Sequence, residues 1–139
     1  MVAFYLQSSL SQIAQREGGG VKFGRTFYER LFRTYPEVQP LFASTDMEAQ
    51  AQKLYEALEY VALGYGNRTE SFAKILRQLG QRHKAYGVKP EHYGMVGKVL
   101  LETMAECLGS AWTPAVEKAW QEAYDYVVQQ MLRGHEGGE

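Results

Sequence analysis

Apolar side chains recur along this chain at spacings of three and four, and no stretch of comparable length alternates with a period of two. That pattern admits helices and excludes a sheet core, so the chain reads as all-α with about six or seven helices. Leu6, Leu10 and Ile13 share one face of a first segment from about Phe4 to Glu17, which Gly18-Gly19-Gly20 then breaks or bends. Val21 to Tyr35 carries Phe27, Tyr28, Leu31, Phe32 and Tyr35 on an inward stripe, with Gly24 one turn before Tyr28 on the same face. A glycine inside a helix costs roughly 1 kcal/mol against alanine, and here it marks a close helix crossing. Pro36 and Pro40 leave room for one turn of helix up to Phe42. Thr45-Asp46-Met47-Glu48 fits a capping box, which predicts Thr45 as the cap of a helix bearing Met47, Gln50, Leu54, Leu58 and Val61 on one face and ending near Gly64 or Gly66. Thr69 caps a further segment with Phe72, Ile75, Leu76, Leu79 and His83 on its stripe, stopped by Gly87. Pro90 opens the next, with Tyr93, Val96, Leu100 and Met104 inward, and Thr113-Pro114 opens the last, with Val116, Trp120, Ala123, Tyr124, Val127 and Met131. Gly134 to Glu139 reads as a frayed, polar tail.

The 139 residues suit one domain spanning 1–139 with a real core. Fifteen basic against 16 acidic residues give a formal charge of -1, which argues against a nucleic-acid partner, since that needs a basic surplus. One cysteine, Cys107, precludes an intrachain disulfide and a Cys-rich zinc or iron–sulfur site; it reads as a core thiol. No apolar run approaches the ~20 residues of a membrane span, and Val2 to Leu6 is too short and lacks the basic flank of a signal peptide. A cytoplasmic location is the expectation.

The catalytic inventory is thin. The sequence has no phosphate-cradling glycine loop, no nucleophile elbow, no His-Glu-x-x-His and no Cys-x-x-Cys. Three histidines occur, His83, His92 and His135, and His92, at a helix start beside Glu91, reads as solvent-facing. Tyr28, Gln50 and His83 are the polar residues on inward stripes. Each alone has an ordinary reading as a buried polar group with a nearby partner. Together, on three helices and flanked by apolar residues, they also suit an apolar pocket with a few convergent polar groups.

Thr26-Phe27-Tyr28-Glu29-Arg30-Leu31-Phe32 followed by Tyr35-Pro36-Glu37-Val38-Gln39-Pro40-Leu41-Phe42 resembles the second helix and following corner of a bacterial globin. Leu79-Gly80-Gln81-Arg82-His83-Lys84-Ala85-Tyr86-Gly87-Val88, continued by Pro90-Glu91-His92-Tyr93-Gly94-Met95-Val96-Gly97, resembles its haem-ligating segment. The likeness is to single-domain bacterial globins and to the haem domain of flavohaemoglobins, and runs from Leu6 to about Met131. It implies the globin fold and haem b (iron protoporphyrin IX) with His83 as the iron ligand. It implies Phe42 stacked on the haem, with Leu54, Leu79, Val88, Tyr93 and Val96 around it. It implies Tyr28 and Gln50 as the pair facing a gas ligand, and Gly24 against Ala51 as the crossing that brings them together. Lys53 is placed at the haem edge, either meeting a propionate or simply solvated. In flavohaemoglobins the ligating histidine is backed by a Tyr and a Glu. Tyr93 matches the first, but the place of the Glu, 11 residues after Tyr124, holds His135, with Glu136 beside it.

Function on this resemblance is reversible dioxygen binding at a five-coordinate iron, for storage, delivery or scavenging, with nitric oxide and carbon monoxide as further gas ligands. The alternative is nitric oxide dioxygenation. A chain of this length has no room for a flavin or nicotinamide domain, so that reaction implies a separate reductase as partner. A gas sensor ranks last, for want of an output domain.

Overall fold

The computed structural model describes residues 1–136. Helix α1, Val2–Gln15, buries Leu6, Leu10 and Ile13 as their spacing predicts, together with Ser9. Gly18 and Gly19 then take positive φ, +82° and +57°, a backbone open to glycine at little cost. This turn lets α2, Gly19–Thr34, start beside α1. A 3₁₀ segment, Pro36–Phe42, fills the corner. Helix α3, Met47–Gly64, is capped by Asp46 rather than Thr45. The Asp46 carboxylate accepts from the amides of Glu48 at 3.0 Å and Ala49 at 3.3 Å. A carboxylate next to the first turn satisfies two orphan amides at once and also meets the positive helix end, which the Thr45 hydroxyl one residue earlier could not match.

Helix α4, Glu70–Ala85, is capped by the Thr69 hydroxyl, which accepts from Phe72 at 3.1 Å. Ile75, expected on its inward stripe, is 44% exposed; the buried face runs through Phe72, Ala73, Leu76, Arg77 and Gly80 instead. Helix α5, Pro90–Leu108, leads through a short 3₁₀ turn, Gly109–Ala111, to α6, Pro114–His135, which Thr113 caps through Val116 at 3.2 Å.

Helix α6 runs on through His135, and both Gly134 and His135 are buried. The tail expected from Gly134 onward is therefore shorter at its start, and residues 137–139 lie outside the described residues. The reason is a contact the composition of that stretch does not reveal. A Cβ on Gly134 would fall on the Arg77 carbonyl of α4, and one on Gly80 would fall on the Met131 carbonyl of α6. Helices α4 and α6 thus meet backbone to backbone, which only glycine allows.

The core is the side-chain set Leu6, Ile13, Phe27, Leu31, Leu100, Met104 and Trp120, all nearly inaccessible. Each such burial contributes about 1.5–3 kcal/mol. Its polar exceptions are paired: the Trp120 indole donates to Ser9 at 2.7 Å, and the Tyr55 hydroxyl donates to the Leu10 carbonyl at 2.9 Å. These bonds tie α6 and α3 to α1. No helix among the described residues is long and apolar enough to cross a membrane.

Candidate functional site

Helices α2 and α3 cross where Gly24 faces Ala51. A Cβ on Gly24 would lie 2.6 Å from the Ala51 carbonyl oxygen and 2.7 Å from its Cβ, so the crossing depends on glycine. The close approach brings together Tyr28, one turn after Gly24, and Gln50, beside Ala51. The Gln50 amide donates to the Tyr28 hydroxyl oxygen at 3.0 Å. Because the amide donates, the phenol proton stays uncommitted and can point elsewhere. Phe27, Phe42 and Phe32 hold the Tyr28 ring, at centroid distances of 4.8, 5.3 and 6.0 Å. Burial raises the Tyr28 pKa above that of an ordinary phenol, with the Gln50 bond opposing. The residue is thus a neutral donor at physiological pH.

His83 sits on the last turn of α4. Its Nδ1 lies 2.9 Å from the Leu79 carbonyl oxygen. A carbonyl can only accept, so Nδ1 carries the proton and Nε2 presents its lone pair. Burial pushes the imidazole pKa below the usual value; the Leu79 bond opposes, and Arg82 and His135 add to the lowering. The result is a neutral imidazole of fixed tautomer, the form that binds a transition metal.

Tyr93 stacks on His83 at 6.4 Å and 27°, and the Val88 amide donates to the His83 carbonyl at 3.0 Å. Phe42, Leu54, Leu79, Val88 and Val96 are only half-buried, unlike the core. Lys53 is exposed. Direct contacts therefore join Tyr28 with Gln50 and Phe42, and His83 with Leu79, Val88 and Tyr93; Leu54 and Val96 pack against the core beside them. A groove of about 800 Å³ between α5 and α6 shares only Tyr93 with these residues and lies apart from Tyr28, Gln50 and His83.

Among the described residues no three His, Cys, Asp or Glu side chains converge as a metal cage. A metal at His83 must bring its other ligands with it, as the iron of a porphyrin does. A flat apolar group also suits the half-buried apolar side chains, and the free Nε2 suits its iron. The sequence model of the globin family matches residues 25–131. The chain belongs to the globin family. As a globin it binds haem.

It is 32% identical to a flavohemoprotein of Bacillus subtilis over 107 residues, covering 76% of this chain and 27% of that protein. It is 32% identical to one of Vibrio cholerae over 121 residues, covering 86% of this chain and 30% of that protein. The globin thus spans under a third of the length of these relatives. Among solved structures it superposes on a bacterial globin from Campylobacter jejuni with a TM-score of 0.82 at 25% identity, covering 98% of this chain and 95% of that one. A hexacoordinated heme protein from a tardigrade shares the fold, with a TM-score of 0.80 at 16% identity over 96% of this chain and 92% of that one.

One expectation for the histidines changes. His92 lies at the start of α5 as expected, half-buried, and its Nδ1 accepts from the Lys89 amide in an exposed 3.0 Å bond that caps the helix. His135, assigned to a frayed tail, is buried with Nε2 at 2.7 Å from the Tyr93 hydroxyl. The signal available in the sequence was its position 11 residues after Tyr124, the place at which the resemblance to flavohaemoglobins implies a glutamate. Tyr124, expected on the inward stripe of the last helix, joins the same group, as does Lys84, which carried no signal of its own.

Proposed function

We propose that this globin binds haem b through His83 and reversibly holds a diatomic gas, dioxygen first, on the side faced by Tyr28 and Gln50. The observation that carries this reading is the 3.0 Å bond in which Gln50 donates to Tyr28, leaving the phenol proton free. Haem, when bound, supplies a ferrous iron with an open position for the gas. Tyr28 then donates toward partial negative charge on the ligand, in an apolar setting where little water competes. Gln50 orients the phenol and is itself a second donor within reach. Neither is a strong iron ligand, which supports a five-coordinate resting state. Phe42, Leu54, Leu79, Val88, Tyr93 and Val96 would line the cofactor, and the exposed Lys53 would either meet a propionate at its edge or remain solvated. The test is the visible spectrum of the ferric, ferrous and air-equilibrated protein. A five-coordinate ferrous spectrum and a long-lived, reversible change under air are expected; a six-coordinate ferrous spectrum without added ligand would overturn the open site.

A second reading is nitric oxide dioxygenation with a separate reductase, favoured by the flavohemoprotein relatives. Catalytic nitric oxide consumption on adding cell extract and reduced nicotinamide supports it, and a single stoichiometric reaction supports the carrier.

A further inference from the structure

Behind His83 lies a hydrogen-bonded group that the gas-binding side does not use. Tyr93, on the first turn of α5, stacks on the imidazole and puts its hydroxyl 2.7 Å from His135 Nε2. The Tyr93 carbonyl accepts from the Tyr124 hydroxyl at 2.6 Å, and the His135 carbonyl accepts from Lys84 Nζ at 2.7 Å. Lys84 directly follows His83 in the chain. Next to His135, Gly134 presses on the Arg77 carbonyl of α4. Three elements therefore meet behind His83: the end of α4, the start of α5 and the last turn of α6. From α6, His135 reaches α5 through its ring and α4 through its carbonyl, and its neighbour Gly134 touches α4 again.

The chemistry of this joint is set by what His135 is not. An imidazole and a phenol make a hydrogen bond between neutral groups in either tautomer. A carboxylate in the same place would set a full negative charge against the Tyr93–His83 stack. Such a charge would draw on the imidazole proton and increase electron donation to a bound metal. With none there, the Leu79 carbonyl is the acceptor His83 uses, at 2.9 Å.

We propose that His135 is a positioning residue that acts through Tyr93 to hold His83 as a neutral, weakly donating ligand. The proposal rests on the reading of His83 as the haem ligand and specifies the chemistry of that site.

The experiment uses the haem-loaded chain and reads the iron–imidazole stretch by resonance Raman and the ferric/ferrous midpoint potential. His135→Gln retains a neutral partner for Tyr93 and should match the parent in both. His135→Glu should raise the stretch and shift the ferric-to-ferrous ratio at fixed potential by about tenfold, the size expected of one charge screened as in a protein. That is ~59 mV for one electron. Adding Tyr93→Phe should remove the shift. His135→Leu leaves the phenol without its partner and should displace or broaden the stretch; if that variant folds poorly, the Gln and Glu variants carry the test. Unmoved stretch and potential in His135→Glu would overturn the proposal, as would a shift that survives Tyr93→Phe. Failure of the underlying reading looks different: His83→Ala would then retain the parent's iron–imidazole band.

Discussion

Replacing Tyr28 by Phe isolates one hydroxyl. The ring keeps its shape and its contacts with Phe27 and Phe42 at 4.8 and 5.3 Å, so the packing is preserved. Gln50 loses an acceptor but is half-buried and can turn to water. What disappears is a neutral donor in a desolvated setting, its proton uncommitted because the Gln50 amide occupies the oxygen's acceptor side. A hydrogen bond to a charged or partly charged acceptor contributes about 1.5–3 kcal/mol. At roughly 1.4 kcal/mol per factor of ten, Tyr28→Phe should speed dioxygen release by about 10- to 150-fold. Carbon monoxide takes up far less negative charge, so its release should change much less. Gln50→Leu removes the group that orients the phenol and serves as the second, neutral donor, worth about 0.5–1.5 kcal/mol, or a 2- to 12-fold effect. Stopped-flow displacement of dioxygen by excess carbon monoxide measures both. An off-rate for Tyr28→Phe within about twofold of the parent, below ~0.5 kcal/mol, would show that the phenol does not meet the ligand. The site would then have to be rebuilt around Gln50.

His83→Ala should abolish the five-coordinate histidine spectrum and recover it with added imidazole, while His92→Ala, which touches only the cap of α5, should leave it unchanged. Gly80→Ala drives a methyl into the Met131 backbone, which cannot rotate away; overpacking costs about 1–3 kcal/mol, and at ~2–4 °C per kcal/mol calorimetry should find a clear fall in Tm. Ser9→Ala strands the Trp120 indole N–H in the core and should cost about 1–3 kcal/mol in urea denaturation. In the haem-free protein His83 and His135 both titrate lower when folded than unfolded. As pH falls below ~6.5 the unfolded chain binds protons first. Stability is thus complete above that pH and declines toward pH 5.5, by at most ~1.4 kcal/mol per pH unit for each histidine. Urea midpoints that stay flat over this range would refute the lowered values.

What the sequence made legible was local or periodic. The Leu6, Leu10 and Ile13 stripe, the Thr69 and Thr113 caps and the Gly24–Ala51 crossing needed only spacing, capping chemistry or the family pattern. The cap of α3 was legible to within one residue, because Thr45 and Asp46 are both good caps and only the backbone angle of the first turn chooses between them. Ile75 failed for a related reason: it sits at the edge of a stripe whose centre is set by where α6 lies. The end of α6 was not legible. Glycine-rich polar residues read as a tail when nothing shows that one glycine is pressed on Arg77. Nor does any local pattern reveal that the hydroxyl of Tyr93 meets a ring 42 residues away.

The two sides of the site are held by different means, and the difference has a measurable consequence. On the side proposed to face the gas, Tyr28 and Gln50 meet through one part-buried hydrogen bond between side chains, worth little to the fold. Behind His83, α4 and α6 touch through backbone at Gly80 and Gly134, and Lys84, Tyr93, Tyr124 and His135 add three further bonds. Side-chain changes on the first side can retune gas release while the helices stay where they are. Changes at the second move the helix that carries His83, and with it both stability and iron ligation. Tyr28→Phe and Gln50→Leu should therefore alter off-rates with Tm within a few degrees of the parent, at ~2–4 °C per kcal/mol. Gly80→Ala should lower Tm and haem retention together. Equal losses of Tm on the two sides would mean that Tyr28 and Gln50, too, help to hold α2 against α3, beyond what the Gly24–Ala51 contact supplies.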